Sequence, residues 1–204
     1  SLPTVAYYEG LIAEQRGRHL EAIKCWNQAI ESGNKDPRVR LTLASVLSLI
    51  GDNQSALKEL KTLISENPGF FEGHLLLARL SAQIADWSQV EESAQMALQL
   101  SPNSLDAALL LLQSRIEMLP SNVADQPQSV KAIEDQLAKF KTTPNQVVGV
   151  NLLKLRLAMK LNNFSKAASL IAELKNEDPN NVRIALTEVE LLFAQDKKDE
   201  AVSV

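Results

Sequence analysis

The chain contains 204 residues with a net charge of −4, because 21 Lys and Arg are outnumbered by 25 Asp and Glu. This balance argues against a nucleic-acid surface, which normally carries an excess of basic residues. The single cysteine excludes an internal disulfide framework and a cysteine-based zinc site, and the two histidines argue against a histidine-rich metal centre. No apolar run of about 18 residues occurs, so no membrane-spanning helix is expected.

Apolar spacing predicts six pairs of α-helices in chain order. Only 7 Gly and 8 Pro interrupt a sequence dominated by Leu and Ala, which favours helix. The stripe of Leu57, Leu60 and Leu63 illustrates the apolar face of one such helix. The first helices of the pairs are predicted at residues 3–16, 38–49, 71–84, 104–118, 146–161 and 181–195. The second helices are predicted at residues 19–32, 54–66, 88–100, 128–140, 164–176 and 197–204.

A period of 34 residues relates these pairs to one another. One small or β-branched position recurs in the second helices, at Ala22, Ala56, Val90, Ala132, Ala167 and Ala201, with steps of 34, 34, 42, 35 and 34. Pro68, Pro102, Pro144 and Pro179 recur at steps of 34, 42 and 35 residues, and the residues before Pro68, Pro102 and Pro179 are predicted to end second helices. Gly17 and Gly51 follow first helices, where a left-handed turn residue is expected. The step of 42 leaves eight surplus residues, which we assign to an insertion at 119–128.

This arrangement of small, apolar and proline positions resembles the tetratricopeptide repeat (TPR) family. The resemblance implies an all-α fold, an α-solenoid with a right-handed superhelix of about six helix-turn-helix repeats. It implies one domain over residues 1–204, with repeats at 3–36, 37–70, 71–103, 104–145, 146–180 and 181–204. The last repeat stops within its second helix and no polar capping helix follows, so we expect the chain to be part of a longer protein.

The inserted segment at 119–128 has two interpretations. It contains the only long break in the helical pattern, between Pro120 and Pro127. A surface insertion is one interpretation, because longer loops add little to the free energy of folding. A hinge or docking loop is the other.

No residue pattern indicates an active site or a cofactor. His19 and His74 occupy positions that the TPR family uses for packing residues, and a ligand or base role is the alternative. Cys25 has only Lys24 as a basic neighbour, which is weak support for a reactive thiol. The glycines do not form a phosphate-binding loop. We therefore expect a protein that is not an enzyme and holds no cofactor or metal.

In TPR proteins the first helices line a concave groove that binds peptides or helices of other proteins. Carried over to this chain, the groove positions are Tyr7, Leu41, Leu75, Arg79, Leu109, Gln113, Ile116, Leu152, Arg156, Met159, Leu186 and Phe193. The apolar members become more frequent toward the C-terminal half, so partner binding is expected there. Burial against the next repeat is the other interpretation of the apolar positions. In repeat five a shift of helix phase would turn Leu155 toward the groove instead.

One specialised TPR function is testable by residue type. Cochaperone members bind Glu-Glu-Val-Asp tails through a clamp of Lys, Asn, Asn, Lys and Arg. The equivalent positions here are Tyr7, Leu11, Thr42, Glu72 and Leu76. None of them matches, and Glu72 would repel the carboxylate, so this function is not expected.

The expected function is a non-enzymatic scaffold that binds a peptide or helix of a partner protein in the TPR groove. Neither a nucleic-acid partner nor direct membrane insertion is expected, and self-association is possible. The alternative is a regulatory or substrate-recruiting segment of a larger enzyme or of a secretion or assembly machine. One cysteine favours a cytoplasmic location and leaves a periplasmic one open.

Overall fold

The computed structural model of the protein describes residues 2–120, 126–140 and 144–201, without the side chains of 144–147 and 183. These residues form twelve α-helices and no strand. The helices are α1 Leu2–Gln15, α2 His19–Glu31, α3 Pro37–Leu49, α4 Asn53–Glu66, α5 Phe71–Gln83, α6 Trp87–Leu100, α7 Leu105–Glu117, α8 Pro127–Lys139, α9 Pro144–Lys160, α10 Phe164–Glu177, α11 Val182–Ala194 and α12 Lys198–Ala201.

The all-α class and the sequential helix-turn-helix pairs are confirmed. The bounds of the first eleven helices lie within two residues of the predicted ones. For α12, residues 202–204 lie outside the described part of the chain, as do residues 121–125 of the expected insertion. The chain divides into two compact units, Ser1–Leu111 and Leu112–Val204, and α7 crosses the division.

The core of the first unit is built on one face of each second helix. Ala22, Trp26 and Ala29 of α2 are buried at spacings of four and three, which is the period of one helix face. Ala56, Leu60 and Leu63 repeat that spacing on α4. These residues form a single cluster with buried residues of the first helices, Ala6, Ala13, Val39, Leu43, Ala44, Val46, Leu47, Leu77 and Leu80.

The second unit uses the same arrangement. Ala167, Ile171 and Leu174 of α10 are buried at spacings of four and three. They form one cluster with Leu155 and Ala158 of α9 and with Ile184 and Leu191 of α11. Because α10 packs on both first helices, it fixes which side of α9 and α11 faces away from the core.

The register predicted for α8 is wrong by one residue. Ala132 is exposed, whereas Ile133 and Leu137 are buried. The step from Val90 to Ile133 is 43 residues, and the step from Ile133 to Ala167 is 34. The adjacent apolar residues at 132 and 133 gave two possible registers, and the structure selects the one that restores the period after the insertion.

Left-handed residues join the first helix to the second in five pairs. The φ angles are 69° at Gly17 and 86° at Gly51, as the sequence predicts. Ala85, Asn162 and Asp196 take the same role with φ angles of 58°, 53° and 59°. Asn and Asp tolerate this conformation better than other residues with a side chain, whereas Ala85 carries its steric cost.

Capping side chains follow these turns and start the second helices. Asp52, Asp86 and Asn163 each accept a hydrogen bond from the backbone N–H three residues later, at 3.1, 3.2 and 3.1 Å. Such caps satisfy donors that the first helical turn leaves without a partner. Arg18 has the equivalent position before α2 and makes no side-chain cap.

Candidate functional site

A cavity of about 260 Å³ lies in the second unit and is lined by residues of three first helices, α7, α9 and α11. Helix α9 supplies most of its lining, α7 contributes Glu117, and α11 contributes Thr187 and Glu190. The residues from α9 are Leu152, Leu153, Leu155, Arg156, Met159 and Lys160. Since α7, α9 and α11 are the first helices of consecutive pairs, the cavity lies where the sequence places the groove.

The phase of α9 follows from its packing on α10. Leu155 is 1% exposed and belongs to the core cluster with Ala167. Leu152, Arg156 and Met159 are spaced by four and three residues, so they share one helix face. All three are partly exposed and line the cavity. Helix α9 therefore keeps the phase set by Ala167, and the alternative that exposes Leu155 does not occur.

An ion-pair cluster forms the polar wall of the cavity. The Glu117 side chain is 9% exposed, and its carboxylate contacts Nε of Arg156. Nζ of Lys160 donates a hydrogen bond of 3.1 Å to the backbone oxygen of Glu117 and lies 4.0 Å from its Oε2. A carboxylate that is largely removed from water requires such partners. Glu117 thus holds both cations at the cavity wall.

The charges around the cavity balance. Arg156 and Lys160 are positive, while Glu117 and Glu190 are negative. The remaining lining residues are apolar except Thr187. An apolar site with a few fixed polar groups is the usual composition of a binding pocket. The α9 cavity therefore has no excess positive charge that would attract a carboxylate or phosphate ligand.

The other expected groove residues differ in accessibility. Tyr7, Leu41, Leu75, Leu109 and Gln113 are half-buried, and the exposed Arg79 is paired with Asp106. Leu186 and Phe193 on α11 are 59% and 53% exposed. Ile116 departs from the expectation, because its side chain is fully buried in the core and is not accessible to a partner. The cavity brings together three of the expected residues, all on α9.

Sequence reasoning missed Glu117 and Lys160. Each directly follows an expected groove residue, Ile116 or Met159, and so occupies the same position of its repeat. Opposite charges at one position of adjacent repeats were the available signal, since each helical repeat packs on its neighbour and brings equivalent positions close together. Thr187 left no comparable signal in the sequence.

Among the described residues, no three His, Cys, Asp or Glu side chains form a group that could hold a metal ion. Burial, together with Glu9 and Glu21, raises the pKa of the Cys25 thiol, which disfavours the reactive thiolate. The ring Nε2–H of His74, a buried residue, donates to the carbonyl oxygen of Pro68 at 2.9 Å. Within the described ranges, each helix is too short or too polar to cross a bilayer.

Distant relatives match most of this chain. No model of a known protein family matches it. Cellulose synthase operon protein C of Pseudomonas fluorescens is 24% identical over 82% of the chain, and protein O-mannosyl-transferase TMTC1 of Homo sapiens is 23% identical over 92%. The matched segments make up 16% and 22% of those two proteins, so this chain spans less than a quarter of either.

Solved structures identify the architecture. A tetratricopeptide repeat protein from Parabacteroides merdae has a TM-score of 0.79 at 14% identity, covering 98% of this chain and 76% of that one. The chain has the TPR fold. Pseudomonas aeruginosa pilF gives a TM-score of 0.63 at 17% identity, covering 99% of this TPR chain and 88% of its own. The first TPR domain of Spaghetti (RPAP3), bound to the HSP90 peptide SRMEEVD, gives 0.55 at 15% identity, covering 58% and 94%.

Proposed function

We propose that this TPR chain is a non-enzymatic scaffold and that the α9 cavity binds an apolar side chain from a peptide or helix of a partner protein. The observation that carries the proposal is the cavity itself, with Leu152 and Met159 half-buried beside a charge-balanced wall. Its volume of about 260 Å³ lies below the range of roughly 300–1,000 Å³ typical of small-molecule sites. A single large side chain is therefore a better occupant than a whole cofactor.

The polar wall would orient a bound partner in such a site. Glu117, Arg156 and Lys160 hold one another in place, so the orientation of these three side chains is fixed before a partner arrives. Fixed groups lose less conformational entropy on binding than free side chains. The apolar anchor supplies affinity, since burying a Leu- or Phe-sized side chain contributes about 1.5–3 kcal/mol. The wall would then select the polar groups on either side of the anchor.

The chemistry of this site differs from that of a carboxylate clamp. The Spaghetti TPR domain binds an HSP90 peptide that ends in EEVD. At the clamp positions this chain has Tyr7, Leu11, Thr42, Glu72 and Leu76. With no cation among them, the supported ligand is an internal apolar segment of a partner and not an acidic tail.

The test begins with isolation of the partner by pull-down and mass spectrometry, followed by affinity measurements on variants. Met159→Glu replaces an apolar part of the cavity lining with a charged side chain and should weaken binding at least about tenfold, because an apolar anchor would have to remove that charge from water. Ser45→Glu is the matched control, since Ser45 is an exposed first-helix residue outside the cavity. Circular dichroism establishes that both variants fold. Equal affinities, or a loss confined to Ser45→Glu, would exclude the α9 cavity.

A second candidate function has support from one relative. The chain resembles 22% of a protein O-mannosyl-transferase, so the TPR domain could recruit substrate for an enzyme encoded in the same polypeptide. In that case Met159→Glu in the gene-encoded enzyme should raise KM and leave kcat unchanged. If the gene-encoded polypeptide has no enzymatic activity, this candidate is excluded and the scaffold remains.

A further inference from the structure

Helix α1 carries an exposed apolar face that is separate from the groove. Leu2, Val5, Tyr8 and Ile12 are 73%, 55%, 58% and 49% exposed. Their spacing of three, three and four residues places them on one side of the helix. Exposed apolar side chains are ordinary when scattered, but a contiguous row on one helix face marks an interaction surface.

The repeats of this chain provide an internal comparison for that face. Val5 and Ile12 correspond, 34 residues later, to Val39 and Val46 of α3, which are 0% and 1% exposed. The corresponding pairs in the later first helices are Gly73 and Leu80, Ala107 and Ser114, Val150 and Leu157, and Ile184 and Leu191. All of these are buried. Only in α1, among the described helices, is this pair of positions open to solvent.

The first unit also shows what covers these positions. A Cβ added to Gly73 would lie 3.2 Å from Cδ2 of Leu63 and 3.3 Å from Cγ2 of Ile64, both on α4. Val39 and Val46 belong to one cluster with buried residues of α2. In both cases the second helix of the preceding hairpin covers the first helix that follows. The exposed face of α1 therefore corresponds to the surface on which, in the later repeats, the second helix of the preceding hairpin packs.

We propose that a further α-helical hairpin, N-terminal to Leu2 in the same polypeptide, packs its second helix on Val5 and Ile12. An occupant in the same polypeptide is favoured because α3 and α5 are each covered by the hairpin joined to them through a short turn, at 32–36 and 67–70. The relatives leave room for it, since the chain matches only 16% and 22% of their lengths. The hairpin's second helix presents small and apolar residues at spacings of four and three, as α2 and α4 do.

Cysteine labelling tests whether the face is covered in the natural protein. In a Cys25→Ala background, Val5→Cys should react with a maleimide in the 204-residue chain as fast as an exposed control, Glu31→Cys. In the polypeptide that the gene encodes, Val5→Cys should react at least about tenfold more slowly, because the covering helix must first open. Glu31→Cys should keep its rate. Fast labelling of Val5→Cys in both proteins would overturn the proposal.

Concentration dependence separates this occupant from a second copy of the chain. Sedimentation of the 204-residue chain should show a monomer, with Val5→Cys labelling independent of protein concentration. A dimer whose formation protects Val5→Cys would make a second copy the occupant and the proposal wrong.

A duplicated hairpin tests the packing directly. Residues 3–36 are repeated upstream, so that the new junction joins Asp36 to Pro3 as the natural one joins Asp36 to Pro37. The added second helix should raise the thermal midpoint of the chain. The double substitution Val5→Lys and Ile12→Lys, made in the original hairpin of the extended chain, should cancel the rise in thermal midpoint. In the 204-residue chain without the added hairpin, the same two substitutions should leave the thermal midpoint unchanged. No gain from the duplication would contradict the proposed packing.

Discussion

At the scale of single residues, the contact between Gly10 and Trp26 makes the first hairpin sensitive to one methyl group. A Cβ on Gly10 would lie 2.4 Å from Nε1 of Trp26. The indole is fully buried and donates a hydrogen bond of 3.2 Å to the carbonyl oxygen of Tyr7, so it has no space into which to move. We expect Gly10→Ala to lower the free energy of unfolding by about 1–3 kcal/mol, as overpacking does.

Guanidinium denaturation measures this loss. Gly69→Ala is the matched control, because a Cβ at Gly69 has no neighbour within 4 Å and the φ angle there is not positive. That substitution should change the free energy by no more than about 0.5 kcal/mol. Equal denaturation midpoints for the two variants would mean that the first hairpin can widen without cost.

Residue identity alone predicts some of these features and not others. Gly17 and Gly51 indicated left-handed turns because glycine adopts positive φ freely. Ala85 occupies the same turn position, but alanine has no preference for positive φ, so its residue type does not predict the turn. The surrounding helices impose the conformation. The contact between Gly10 and Trp26 was equally hidden, since it depends on the distance between two helices.

At the scale of helices, the missing cap of α2 predicts a stabilising substitution. The backbone at Arg18 has φ −91° and ψ 66°, close to φ −84° and ψ 73° at the capping residue Asn163. Arg18→Asn should therefore accept a hydrogen bond from the backbone N–H of Glu21 and raise the free energy of unfolding by about 0.5–2 kcal/mol. The exposed Arg18–Glu21 ion pair that is lost contributes less.

Arg18→Ala separates the two effects, because it removes the ion pair without supplying a cap. In urea denaturation, the Asn variant should have a higher free energy of unfolding than both the Ala variant and the parent chain. If the Asn and Ala variants have the same stability, the α2 terminus does not have the capping geometry described for α10.

Helical periodicity predicted which residues share a helix face but not how deeply each side chain is buried. The spacing placed Leu152, Arg156 and Met159 on one face, and the structure keeps them together. The same spacing placed Ile116 with them, yet it is fully buried. The burial of a side chain depends on the positions of the neighbouring helices. The surplus residues between α7 and α8 interrupt the 34-residue period, so those positions could not be inferred from the other repeats.

At the scale of the whole molecule, the first unit should be separable from the rest. Its helices pack mainly on their neighbours in sequence, α1 on α2, α2 on α3, and so on to α6. Leu111 of α7 packs on Ala78 of α5 and Ala94 of α6, so α7 covers the last hairpin of the first unit. A chain of residues 1–118, which retains all of α7, should therefore fold alone, because the stability of repeat proteins is a sum over repeats and their interfaces.

Far-ultraviolet circular dichroism and tryptophan fluorescence, from the buried Trp26 and the half-buried Trp87, measure this. The shortened chain should keep helical ellipticity and lose it in a thermal transition at a lower midpoint than the parent. A circular dichroism spectrum without helix at low temperature, with both tryptophans emitting as in denaturant, would mean that the first unit depends on the second for its folding.

The succession of neighbour contacts in the first unit also governs how it would respond to mechanical tension. Because α3 is covered by α2 and in turn supports α4 and α5, a pull along the chain meets hairpins arranged one after another, with no long-range sheet to clamp them. Each hairpin of about 34 residues that opens releases roughly 110–120 Å of chain. Such a segment can open one hairpin at a time and re-form from the hairpins that remain folded.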